Sequence, residues 1–130
     1  AEGFEALRAR LEGTREVILV TLGDPAAYRA RLGFAEGVFA TAGLQARTAT
    51  LAAVMDQPPV AGTIACLCGT DEDYASDAAR AATALEAAGY TRVVVAGRPA
   101  GLDKPLRAAG VDAFIYLGCD VIATLEELAP

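Results

Sequence analysis

The chain has 130 residues, 54% hydrophobic and 22% charged, with 13 Gly and 6 Pro, a balance that excludes a disordered segment and suffices for one domain with its own core. Its net charge is -6, from 17 acidic and 11 basic residues, and no basic stripe runs along it, so neither nucleic acid nor an anionic membrane is an expected partner. Histidine is absent, which removes the commonest metal ligand, the commonest general base and the usual partner of a nucleophilic Ser or Cys.

From the amino end, residues 3–11 predict a leading helix, and the near-continuous apolar run 17–22 predicts a first strand. Residues 26–42 predict a helix with Pro25 at or near its first turn, where a missing N–H costs nothing. A weaker run at 44–50 is a second strand, and 52–62, containing Pro58 and Pro59, a short helix and a loop. Strands at 64–67, 93–96 and 114–117 then alternate with helices at 71–88, 104–109 and 120–128. Apolar runs that do not alternate mark parallel strands covered on both faces. Gly43, Gly89 and Gly110 each close an Ala-rich stretch, where a helix C-terminus favours glycine. Thr70 with Asp73 resembles a capping box, with Asp in place of the usual Glu. Right-handed crossovers between successive strands make this an α/β fold, a doubly wound five-stranded parallel sheet with helices on both faces.

No linker or repeat interrupts the pattern, so residues 1–130 read as a single domain. The chain begins at Ala1 without an initiator Met, which suggests excision from a longer subunit. Neither a signal peptide nor an apolar run long enough to span a bilayer is present, and the expected setting is cytoplasmic.

The turn LGDPAAYRARLGF, residues 22–34, joins the first strand to its helix and raises the question of a phosphate site. Gly23 stands there without a GxGxxG or GxxxxGK[ST] pattern, and Pro25 removes one donor. At the turn after the third strand, Asp71, Glu72 and Asp73 suit the helix dipole and repel phosphate, so capping is the expectation there. Cys68 precedes that helix without a base to activate it and reads as a small semi-buried residue. Cys66 and Cys68 share a strand face, and Cys119 follows the fifth strand, so no disulfide is expected. Asp103, Asp112 and Asp120 lack metal-ligand spacing, and Asp120 reads as an N-cap. Arg98, beside Gly97 at a carboxyl strand end, is placed to hold an anionic group, with pairing to a nearby carboxylate as the plainer expectation.

The segments AEGFEALR, VILVTLG, IACLCGTDEDYASDAARAATALEAAG, VVVAGRP and AGVDAFIYLGCDVIATL together resemble the C-terminal domain of the small, non-catalytic subunit of bacterial heterodimeric methylmalonyl-CoA mutase. ACLCGTD, AGRP and GVDAFIYLGCD are the most specific of these pieces. The resemblance implies a flavodoxin-like (Rossmann-like) sheet of order 2-1-3-4-5, as in the cobalamin-binding domain of the catalytic subunit. It also implies a partner, the large catalytic subunit, which interconverts methylmalonyl-CoA and succinyl-CoA with adenosylcobalamin.

In cobalamin-binding copies, the first turn carries DxHxxG, whose His replaces the cofactor's own base on cobalt. Here Asp24 matches the Asp, and the His position falls on Ala26. With a shift of two, Tyr28 takes the place, but a neutral phenol with a pKa of about 10 is a poor cobalt ligand. The small hydroxyl residues and Gly-Gly pair that receive the nucleotide tail correspond to Cys68-Gly69-Thr70 and Gly97-Arg98. Arg98 is expected to occupy the space at Gly97, leaving Gly23, Asp24, Tyr28, Cys68, Gly69, Thr70, Gly97, Arg98, Gly118 and Cys119 as a vestigial site. A crevice filled by Arg98 and Tyr28 favours a structural role, and one they leave open as a continuous cavity favours ligand binding. The resemblance thus implies structural support of the heterodimer, with no catalytic residue, no metal and no cofactor bound by this domain. The alternative is a module that binds cobalamin with its own base on cobalt, or another small molecule such as a nucleotide, at the strand ends.

Overall fold

β1 (Glu16–Thr21) explains the layering of the whole molecule, because its side chains divide alternately between two apolar cores. Val17 and Leu19 enter the core that also holds Phe39 and Leu125, whereas Ile18 and Val20 enter the core with Tyr74, Leu85 and Leu106. An unbroken apolar run such as residues 17–20 is stable in a strand only where both faces are covered. The computed structural model describes residues 5, 6, 14, 16–60, 62–90 and 92–128. The expected leading helix at 3–11 lies outside them except for Glu5 and Ala6, which are helical.

After β1 the chain runs through α1 (Pro25–Thr41), β2 (Ala46–Thr50), α2 (Leu51–Met55) and β3 (Thr63–Cys68). Next comes a long helix, α3 (71–88), with ordinary α turns at Asp71–Asp73 and Ala79–Ala88 and a widened π turn at Tyr74–Ala78 between them. β4 (Val93–Ala96), α4 (Asp103–Ala108), β5 (Ala113–Ile115) and α5 (Val121–Glu126) complete the order. All strands pair in parallel in the order β2-β1-β3-β4-β5, the flavodoxin-like arrangement that the resemblance implies. α1 and α5 contribute to one core and α2, α3 and α4 to the other, so the sheet is doubly wound.

Capping chemistry sets the helix starts. Asp24 accepts a hydrogen bond from the Ala26 N–H (3.1 Å), Thr50 from Ala53 (3.2 Å), Thr70 from Asp73 (3.1 Å) and Asp120 from Ala123 (3.1 Å). The Thr70 hydroxyl also donates to the Asp73 carboxylate at 2.9 Å, a local variant of the capping box. Gly89 ends α3 in the left-handed conformation, φ 112°.

Two expectations need correction. The fifth strand ends at Ile115, and Leu117 lies beyond it in a turn at 86% exposure, because only Ala113, Phe114 and Ile115 reach the buried layer. The helix over 71–88 is not regular, since its π turn starts at Tyr74, a side chain anchored to the strand ends. Among the described residues, no helix is long and apolar enough to cross a membrane.

Candidate functional site

The carboxyl ends of β1, β3 and β4 form the crevice where open parallel sheets take ligands. In this chain, three side chains cross it. Tyr74, buried on the second turn of α3, lies under the strand ends, where its hydroxyl accepts from the Gly69 N–H at 2.9 Å. Its single proton is shared between the carbonyls of Ala96 at 2.5 Å and Leu67 at 3.1 Å. One phenol thus ties β3, the turn after it, and β4. Burial holds the Tyr74 hydroxyl well above its ordinary pKa, outweighing the opposing effects of the Gly69 N–H and the Arg31 guanidinium.

Arg31 is the second. α1 sends its guanidinium over the Tyr74 ring, 5.2 Å from the ring centroid. Nη1 donates to the Gly69 carbonyl at 2.8 Å and Nη2 to Asp71 Oδ1 at 2.6 Å. It also covers Gly97: a Cβ built there would stand 2.8 Å from Arg31 Cζ, and φ of 119° already restricts that position to glycine. Asp73 is the third. A Cβ at Gly23, φ 83°, would fall onto its carboxylate, so the turn that raises the phosphate question is filled by a negative group.

Arg31, Asp73 and Tyr74 are not among the residues that the sequence points to for this crevice. Of the expected occupants, Arg98 is the one the structure corrects. Arg98 turns to Tyr116 rather than over Gly97, donating to its hydroxyl at 3.1 Å with the guanidinium 5.3 Å from the ring centroid, and stays in the wall of the cavity beside Arg31. The carboxylate partner expected for Arg98 is replaced by that ring. Tyr28 lies half-buried near the start of α1, and the side chain that α1 sends across the strand ends comes three residues later. The missed signal was present in the spacing: Arg31 precedes Ala35 by four residues and Val38 by seven, on the helix's buried stripe. A cation on such a stripe requires a partner inside the fold.

The other sites have local roles. Cys66 and Cys68 are fully buried free thiols, and the neighbouring Cys68 side chain together with burial pushes the Cys66 thiol well above its ordinary pKa, so it stays protonated. Cys119, half-buried, accepts from the Tyr116 N–H at 3.5 Å beside Gly118, which has open space around its Cα. Asp103 pairs with Arg107 at 3.0 Å, and Asp112 accepts from the Val93 N–H at 2.8 Å. Among the described residues, no group of three or more His, Cys, Asp or Glu could hold a metal ion.

Open space remains on both sides of Arg31. A cavity of about 440 Å³ runs along Ala27, Thr70 and Glu72, and one of about 400 Å³ along Phe34, Arg98, Tyr116 and Leu117. At the first of these the Thr70 hydroxyl is engaged in capping, bonded to the Asp73 carboxylate and accepting from the Asp73 N–H.

No family model matches the chain. A methylmalonyl-CoA mutase small subunit from Streptomyces virginiae is 35% identical over 140 aligned positions, covering 95% of this chain and 21% of that protein. The probable methylmalonyl-CoA mutase small subunits of Mycobacterium bovis and Mycobacterium tuberculosis are each 34% identical, covering 98% of this chain and 22% of theirs. This chain is a relative of the methylmalonyl-CoA mutase small subunits. It spans about a fifth of the length of the relatives it matches, consistent with the C-terminal domain that the resemblance implies.

Proposed function

We propose that this chain is the cobalamin-binding-like domain of a methylmalonyl-CoA mutase small subunit and keeps the fold without taking the cofactor. The observation that carries the reading is the crevice filled from within: Arg31 lies on Gly97, Tyr74 is bonded to three backbone groups of the strand ends, and Asp73 lies in the Gly23 turn. These residues do not fit a corrin or its nucleotide tail. The sequence adds Ala26 at the histidine position of DxHxxG and no histidine elsewhere.

Adenosylcobalamin in this reading belongs to the large subunit, which interconverts methylmalonyl-CoA and succinyl-CoA. The present domain is non-catalytic, and its role is structural support of the heterodimer in the cytoplasm. A second reading, small-molecule binding at the strand ends, is favoured by the cavity of about 400 Å³ beside Arg98.

A visible-absorption titration with hydroxocobalamin and adenosylcobalamin, followed by gel filtration, separates the two. The expected outcome is no spectral change and no colour travelling with the protein at tens of micromolar, a regime of about -6 kcal/mol. Co-elution with a base-on spectrum would make the domain a cobalamin carrier and end the scaffold reading.

A further inference from the structure

We propose that Arg31 is an internal occupant of the strand-end crevice. Its guanidinium stands in place of a bound molecule and divides one potential binding cavity into two. This inference rests on the reading that the native crevice holds no ligand, and it names the residue responsible.

The geometry supports it from four directions. Nη1 is held by the Gly69 carbonyl, Nη2 by Asp71, the guanidinium face by the Tyr74 ring, and its far side by Gly97, where any side chain would collide with it. Arg31 and Ala30 form part of the wall of both cavities, the one of about 440 Å³ and the one of about 400 Å³. Without the side chain beyond Cβ, the two spaces join across Ala27, Ala30, Gly69 and Gly97, residues too small to keep them apart.

The lining selects the class of ligand. Phe34, Tyr116 and Leu117 form an apolar wall, and Leu117 is 86% exposed. Among the described residues Arg98 forms no ion pair; it donates to the Tyr116 hydroxyl, with Asp103, itself paired with Arg107, and Glu127 around the small cavity on its other side. At the opposite end, Asp71 and Glu72 carry negative charge. The vacated space therefore takes a flat apolar body whose anionic head points to Arg98, away from the two carboxylates. The latch itself is a modest one, since Asp71 is 60% exposed on its side of the ion pair.

Anilinonaphthalene sulfonate, a flat apolar anion, is the probe, and native-state amide exchange is the second readout, applied to the wild-type chain and to Arg31→Ala. The variant should saturate with one probe molecule per chain where the wild type takes none. The Gly69 and Gly97 amides, bonded to the Tyr74 hydroxyl and the Ile115 carbonyl, should exchange about tenfold faster, while Leu19 and Val94 stay as they were. Adding Arg98→Ala should weaken probe binding about tenfold. If Arg31→Ala does not fold, Arg31→Gln, which keeps a polar side chain of lesser reach, is expected to show the same two changes at smaller amplitude. Unchanged Gly69 and Gly97 exchange with no saturable probe binding overturns the proposal, and so does a uniform acceleration of all amides, which marks Arg31 as fold support alone. Stoichiometric probe binding by the wild type sinks the ligand-free reading as well, so the two failures are distinct.

Discussion

The carboxyl edge of the sheet has two halves built on the same plan and finished differently. At β1 and β3, the turns are filled by side chains from neighbouring helices, with Asp73 on Gly23 and Tyr74 with Arg31 on Gly69. At β4 and β5, the side chains turn outward: Arg98 lies against Tyr116, Leu117 is exposed, and the Cα of Gly118 faces open space. Gly97 sits on the boundary and is covered from the closed half by Arg31. A strand-end crevice is thus not a property of the fold alone. Whether it is open depends on which residues the adjoining helices direct into it.

The sharpest way to break this contrast is to remove a hydroxyl from each half. Tyr74→Phe leaves the buried Gly69 N–H without its partner and should cost about 1–3 kcal/mol in a urea melt. Tyr116→Phe, on a half-buried ring, should stay within about 0.5 kcal/mol. Equal losses would erase the distinction between the halves.

Glycine substitutions sharpen it next. Both Gly97 and Gly118 have positive φ, 119° and 91°, so an alanine at either costs about 1–2 kcal/mol of backbone strain. Gly97→Ala carries an added collision with Arg31, and a double-mutant cycle with Arg31→Ala should recover that excess, about 1 kcal/mol. The same cycle built on Gly118 should show none.

Alkaline pH reads the closed half through Tyr74. An unfolded tyrosine ionises near pH 10, and burial holds the folded pKa above that value. The contribution is therefore complete below about pH 10 and is lost as pH rises toward the folded pKa, because the unfolded chain releases its proton first. Stability measured by denaturant melts should fall above that pH, and Tyr74→Phe should flatten the slope. Tyr90, raised by burial as well, and Cys66 contribute in the same direction and leave a residual slope. The smallest effect belongs to Asp71→Asn, which breaks an ion pair whose carboxylate is 60% exposed and should cost less than about 1 kcal/mol.

Much of the framework was legible in the residues. The unbroken apolar runs of β1, β3 and β4 announced parallel strands, and Thr70, Asp120 and Pro25 marked helix starts at the positions where the structure has them. Leu117 misled because hydrophobicity continues past the point where β5 stops being covered. The crevice occupants escaped for a different reason. Arg31 meets Gly69 and Asp71 across 38 and 40 residues of sequence, and Tyr74 meets Ala96 across 22.

The sequence by itself determined the α/β alternation, the two-faced sheet, the helix caps and the lack of any histidine. Those follow from interactions between near neighbours and from the period of apolar side chains. Only the tertiary structure decided that Arg31 rather than Arg98 lies over Gly97, and that Tyr74 joins two strand ends beneath it. Those contacts exist because docking α1 and α3 on opposite faces of one sheet brings their ends together at its carboxyl edge, and no local pattern encodes that meeting.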